Sequence, residues 1–319
     1  MAAGTPTRRK PFKAPAGPRR DDGLFGPGTM AWRVWMSSSN LVAAYRSVIV
    51  QMVRTPVGTG VAEYSDYQRD PNGRLRRTGH FFAAFALADM RTVEALSRQL
   101  HALHKKVKGV DPTTGRPFAA LEHEHLLYVH VTGWHSALTC FERFNEPLTE
   151  AERRQYWREA AIGTELIGFP GELVPSTPDD VRAYFDEINP SLAYSPAAMH
   201  VVEWFKQPRV DHWRDAHAIA GVQVIKAAAI PTLPRAIQRM TGLEQSPVRS
   251  AAATAAMKGL VGVLDRRPAV HGFRFIMPET HEVVMSARRR QAEWERQQAD
   301  RPLAARTLQL VGNRFGRAG

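Results

Sequence analysis

The chain of 319 residues contains one cysteine, Cys140. No internal disulfide can form, and neither a paired-cysteine zinc site nor a C-x-x-C-H haem attachment motif is available. A reducing, cytoplasmic setting is the expectation. Long apolar runs are also missing. Residues 251–264 form an apolar stretch, but Lys258 interrupts it and it falls short of the ~20 residues that cross a bilayer. The basic N-terminus runs into proline, glycine and aspartate where a secretion signal would carry its apolar centre. The chain is therefore expected to be soluble and not transmembrane. Several catalytic signatures are absent as well: His-Glu-x-x-His, G-x-S-x-G, G-x-x-x-x-G-K-[ST], and G-x-G-x-x-G between a strand and a helix.

Acidic residues are scarce at the two ends, and this accounts for nearly all of the formal net charge of +12. Residues 1–20 carry +6 and no acid, and residues 286–319 carry eight arginines against three acids, which leaves +1 for everything between. A body so close to neutral lacks the electrostatic footprint of a folded nucleic-acid binder, so no specific nucleic-acid partner is expected. The composition predicts a disordered basic tail over 1–29, one helical domain over 30–285 and a basic C-terminal tail over 286–319.

Within the body, apolar residues recur at helical spacing and the punctuation is helix-cap chemistry, which predicts an all-α fold. Ser39 and Asn40 precede an apolar helix over about 41–53, ended by a loop containing Pro56, Gly58 and Gly60. A Phe-rich helix is followed by one whose Val93, Leu96, Leu100, Leu103 and Val107 keep a spacing of three and four, up to Gly109. A long helix is predicted from Ala119 to Phe144. Thr149 with Glu152 makes a capping box, and Thr177-Pro178, Ser195-Pro196 and Ser246-Pro247 each place a capping residue before a proline. The strand-like stretch near 271–277 is too isolated to make a sheet.

Of twelve histidines, His101, His104, His125, His130 and His135 lie on two adjacent predicted helices. His104 sits on or beside an apolar face, where a buried neutral imidazole needs a partner for each nitrogen. A backbone carbonyl satisfies that need, and so does a metal. If the helices either side of residues 89–91 form an antiparallel hairpin, His104 and Thr78 come to one level, beside the cluster Arg74, Arg76 and Arg77. An imidazole, cations and an apolar slot lined by Phe81 or Phe85 suit a haem. Glu122 and His125 make a Glu-x-x-His pair of the kind found in di-iron bundles, but the chain has no second such pair. Residues 122–125 read as the solvated start of a helix.

The segments Gly60-Val61-Ala62-Glu63-Tyr64-Ser65, Asp70-Pro71-Asn72-Gly73-Arg74-Leu75-Arg76-Arg77-Thr78 and Leu103-His104-Lys105-Lys106-Val107-Lys108-Gly109 resemble the haem oxygenase family of rubber oxygenase (latex-clearing protein) and MpaB. Thr114 to Leu121, Leu126 to His130 and Tyr156-Trp157 are similar to its continuation, with Tyr128 where the family has tryptophan. The likeness spans about residues 31–285. It implies an all-α fold and non-covalent haem b, with His104 as the proximal iron ligand. Arg74, Arg77 and Thr78 match the family's Arg-x-x-Lys-Thr element, His130 a histidine that supports the pocket, and Lys108 a position where some members have arginine. Arg77 replaces a lysine that caps the iron in rubber oxygenase; a guanidinium stays protonated and is a poor iron ligand. Glu63 is the candidate for the family's distal base. The implied function is oxidation of a small hydrophobic substrate with dioxygen or peroxide. The alternative is a non-catalytic helical protein that binds haem or another hydrophobic ligand.

Overall fold

The computed structural model describes residues 22–66, 69–206, 216–266 and 277–300. They form a single, almost wholly helical domain. The helices in chain order are α1 (Met30–Trp35), α2 (Asn40–Met52), α3 (Thr55–Tyr64), α4 (Pro71–Leu87), α5 (Met90–His104), α6 (His123–Phe144), α7 (Glu150–Ala160), α8 (Pro178–Ile188), α9 (Pro196–Lys206), α10 (Ala216–Ala229), α11 (Arg235–Thr241), α12 (Pro247–Arg266) and α13 (Pro278–Ala299). Between α5 and α6 lies a two-stranded antiparallel hairpin, β1 (Lys108–Val110) and β2 (Pro117–Ala119), with Gly109 opposite Phe118. Among the described residues no helix is long and apolar enough to cross a membrane.

The cap signals mark real boundaries. Thr149 and Glu152 bond reciprocally at the start of α7, Thr177 and Asp180 do the same at α8, and the three capping-residue–proline pairs open α8, α9 and α12. Asn40 serves a different end from the one expected: its amide donates to the carbonyls of Val34, Trp35 and Ser37, closing α1.

Other boundaries moved for packing reasons. The Pro56-Gly58-Gly60 segment, expected as a loop, lies inside α3. Pro56 sits in the first turn, where a missing N–H costs nothing, and the glycines permit close approach. A Cβ at Gly58 would lie 2.8 Å from the Met52 carbonyl oxygen, and one at Gly60 would lie 3.0 Å from Val107. The apolar stripe of α5 leaves the core at Leu103, 55% exposed, and the helix stops at His104, not at Gly109. Residues 117–119 pair as β2, so α6 begins at His123 and not at Ala119. The strand-like stretch at 271–276 lies outside the described residues. At the N-terminal end Phe25, inside the expected tail, is buried in the core. At the other end α13 runs through Ser286, where a basic tail was expected to begin. Ala287 is buried there, and Arg288 bonds to Asp265.

Two apolar clusters share α6. One gathers Trp32, Phe85, Trp134, Tyr156 and Trp157; the other gathers Val42, Ile49, Cys140, Phe205 and Met257. The seam between α2 and α6 is polar although buried. Arg46, 2% exposed, donates from Nε to the Thr232 carbonyl at 3.0 Å and from one terminal nitrogen to Ser136 Oγ at 2.6 Å. Its other terminal nitrogen is 3.2 Å from His135 Nδ1. Tyr128 donates its hydroxyl to the Val50 carbonyl at 2.6 Å, and the Gln51 amide donates to the Val129 carbonyl at 3.3 Å. Cys140 lies beside this seam, and burial pushes its thiol up to about 12.

Truncating Arg46 strands three buried acceptors at once. Arg46→Ala is expected to lower unfolding stability by about 3 kcal/mol, read from urea melts at neutral pH. A loss below about 1 kcal/mol would show that the seam is held by its apolar neighbours instead.

Candidate functional site

The site begins with the α4–α5 hairpin. Asp70 accepts the Gly73 N–H at 2.7 Å and starts α4, with Pro71 in its first turn. Asp89 accepts the Thr92 N–H at 2.9 Å and starts α5 immediately after α4 ends. A connection this short returns the chain antiparallel, and the first turn of α4 meets the last turn of α5. Arg74 and His104 thereby become electrostatic neighbours.

His104 is half-buried, and its Nδ1 is buried without a hydrogen-bond partner. Burial pushes its pKa down to about 4, with the nearby charges of Arg74 and His101 acting the same way. The ring is neutral at physiological pH. Burial also lowers the pKa of Arg74, Arg77 adds to that, and Asp66 opposes it. Among the described residues the Arg74 side chain makes no hydrogen bond and no ion pair. A neutral imidazole with an unengaged nitrogen thus stands near a cation that has no direct ion-pair contact and feels Asp66 only at a distance.

Arg77 is turned outward, 2.5 Å from Asp66 and 3.5 Å from Asp70. Thr78 faces a cleft between α2, α4 and the C-terminal helices. Trp35, Leu41, Phe82, Leu264 and Met277 also line it, and it encloses about 830 Å³ including its open mouth. His104 and Arg74 are not among its walls; Thr78 is the candidate residue that belongs to it.

Behind α4, His130 is deeply buried. Its Nε2 donates to the Ala160 carbonyl at 2.7 Å, its ring packs on Phe85, Trp134 and Phe169, and burial pushes its pKa down to about 4. Phe85 stacks on Phe81, and Arg74, Thr78, Phe81 and Phe85 recur at helical spacing. His130 therefore braces the α4 stripe that carries the arginine and the threonine. Glu63 and Lys108 are exposed, on the last turn of α3 and on β1. The Glu63 carboxylate lies beside Gly109, and the Lys108 carbonyl accepts the Tyr64 hydroxyl at 2.6 Å. The structure does not group either with His104.

Sequence reasoning undervalued two places. Residues 122–125, expected as a solvated helix start, include His125 at 5% exposure, close to the carboxylates of Glu122 and Glu124. Arg46 lies in an apolar helix, and no sequence signal announces its burial.

A family model described as the catalytic domain of ER-bound oxygenase mpaB/B′ and rubber oxygenase matches residues 32–265. The chain belongs to this oxygenase family. Neither the curated proteins nor the solved structures compared with it gave a match. The donor set of this oxygenase domain fits the cofactor that the resemblance implies. An imidazole held neutral has its lone pair free for iron, and a half-buried guanidinium with no carboxylate in hydrogen-bond contact suits a propionate.

The low pKa values of His130 and His135 predict that the domain loses stability in acid. His130 and His135 have folded values near 4 and 3, lowered by burial from 6.5, with Arg46 also acting on His135. Below pH 6.5 the unfolded chain takes up protons that the folded chain refuses, so stability is complete above that pH and falls as the pH drops toward 4. Each group contributes a slope of up to about 1.4 kcal/mol per pH unit. Denaturant melts between pH 7.5 and 5 are expected to show this decline, with a shallower slope in His135→Gln. A flat profile would mean that these rings protonate in the folded state.

Proposed function

We propose that the protein is a haem b-dependent oxidoreductase that uses dioxygen or a peroxide to oxidise a small hydrophobic substrate. The observation that carries this reading is the unengaged, buried Nδ1 of a neutral His104 beside the unpaired Arg74 cation. Membership of the oxygenase family supports it.

His104 would hold the iron as its proximal ligand, and Arg74 would pair with a propionate. When bound, haem supplies the iron centre at which the oxidant is activated. The remaining tasks fall to the chain. Thr78 presents a hydroxyl at the wall of the apolar cleft, where it can donate a hydrogen bond to an oxygen atom. Phe82, Trp35 and Leu41 give that cleft the surface that a small hydrophobic molecule needs. His130 supports Phe85 and so fixes the α4 stripe. Arg77 is a permanent cation tied to Asp66 and Asp70, which keeps it from acting as an iron ligand and leaves it to set the charge at the rim. Glu63, as proton acceptor, and Lys108, as a further cofactor contact, rest on the family resemblance. Both side chains are exposed, Glu63 on α3 and Lys108 on β1.

Purified full-length protein titrated with haemin is expected to bind one equivalent and to show a Soret band. His104→Ala should weaken binding by at least tenfold, and Arg74→Ala should weaken it while leaving the iron ligation spectrum intact. His104→Ala binding haemin as tightly as the parent would refute the assignment of the proximal ligand. Stoichiometric binding without substrate-dependent oxidant consumption would support the non-catalytic carrier instead.

A further inference from the structure

The first turn of α6 carries a second constellation that the oxygenase reading leaves unused. Glu122 is the N-cap residue of α6, Glu124 lies two positions later and His125 three. The side chain of Glu122 does not cap its own helix. It turns back so that Oε1 accepts the Ala119 N–H at 3.1 Å, leaving Oε2 to face His125 Nε2 at 3.2 Å. Glu124 is arranged in the same way: Oε2 lies 3.5 Å from the Arg54 guanidinium, and Oε1 lies 3.5 Å from the same His125 nitrogen. In each carboxylate one oxygen is held by the protein and the other is aimed at a common point.

His125 itself is 5% exposed, and neither of its ring nitrogens makes a hydrogen bond. The two carboxylate contacts lie at ion-pair distances, but neither has the alignment that a proton shared along the line requires. Three electron-rich atoms turned toward one point, with no proton correctly placed between them, repel one another unless a cation stands there. The two spacings to His125 match that role, and the three atoms lie within 4.8 Å of one another. Ligand bonds of about 2.0–2.2 Å in a tetrahedral zinc site put neighbouring donor atoms about 3.3–3.6 Å apart.

We propose that Glu122 Oε2, Glu124 Oε1 and His125 Nε2 bind one divalent transition-metal ion, zinc in the first instance, at a site separate from His104. The mixed imidazole and carboxylate donors favour zinc over calcium or magnesium, which take oxygen donors and more of them. Ala119 and Arg54 act as the outer contacts that fix the carboxylates. Both glutamates are about half exposed, at 47% and 63%, so the ion enters from solvent and keeps a position open to water.

The test is calorimetric titration of the chelator-treated full-length protein with zinc chloride, with bound metal counted by mass spectrometry. One zinc per chain is expected. His125→Ala and Glu122→Gln should each weaken it by at least about 100-fold, since removing a direct ligand costs no less than removing an outer contact. Glu122→Gln retains an oxygen acceptor for the Ala119 N–H, so its effect is separable from misfolding. His104→Ala should bind zinc as the parent does, which keeps this outcome independent of haem. Absence of one-to-one binding in the parent overturns the proposal. So does zinc binding by both ligand variants at the parent's affinity, or loss of zinc in His104→Ala.

Discussion

The buried cross-tie from Arg46 fixes how α2 lies on α6, and the rest of the domain is arranged around that pair. A guanidinium cannot shed its proton in the core, so each of its donors must find an acceptor. Ser136 and His135 on α6, and the Thr232 carbonyl in the turn after α10, supply them. Tyr128 and Gln51 repeat the demand farther along the seam. Apolar side chains tolerate sliding; directional bonds between α2 and α6 do not. The helix that results carries His130 in its middle, against the α4 stripe, and His125 at its start.

The α4–α5 hairpin adds the electrostatics. Arg74 and His104 are thirty positions apart in sequence, yet a two-residue connection brings them together. Burial and the Arg74 charge both disfavour the protonated state of His104. The arginine stays charged because its ordinary pKa is so high, and the imidazole yields. Acid–base asymmetry of this kind produces a lone pair available at neutral pH without any carboxylate to orient the ring.

Much of this was legible in the sequence wherever local chemistry decides the outcome. Thr149 with Glu152, and the capping-residue–proline pairs, specify helix starts through bonds made within one turn, and those starts hold. Counting residues along the hairpin put Thr78 level with His104, with the arginines beside them; in the structure it is Arg74 whose charge acts on His104, while Thr78 lines the cleft, from which His104 is absent. What failed was decided by neighbours distant in sequence. Gly58 and Gly60 look like loop residues until the helix and the hairpin that press on them are known. His125 looks solvated beside two glutamates and another histidine, but α6 enters the core within its first turn and turns that ring inward. The burial of Arg46 depends on acceptors contributed by Ser136 and Thr232, and no periodicity in α2 encodes them.

Cys140 gives this architecture a chemical side effect. The only sulfhydryl in the chain is held fully protonated by the apolar packing around it, even though a guanidinium stands near. Sulfur is attacked by peroxides as the thiolate, so this one is chemically silent. An oxidant generated by an oxygenase of this build would therefore meet no reactive thiol in the described core, and the sulfur open to it would be a thioether such as Met277 on the cleft wall.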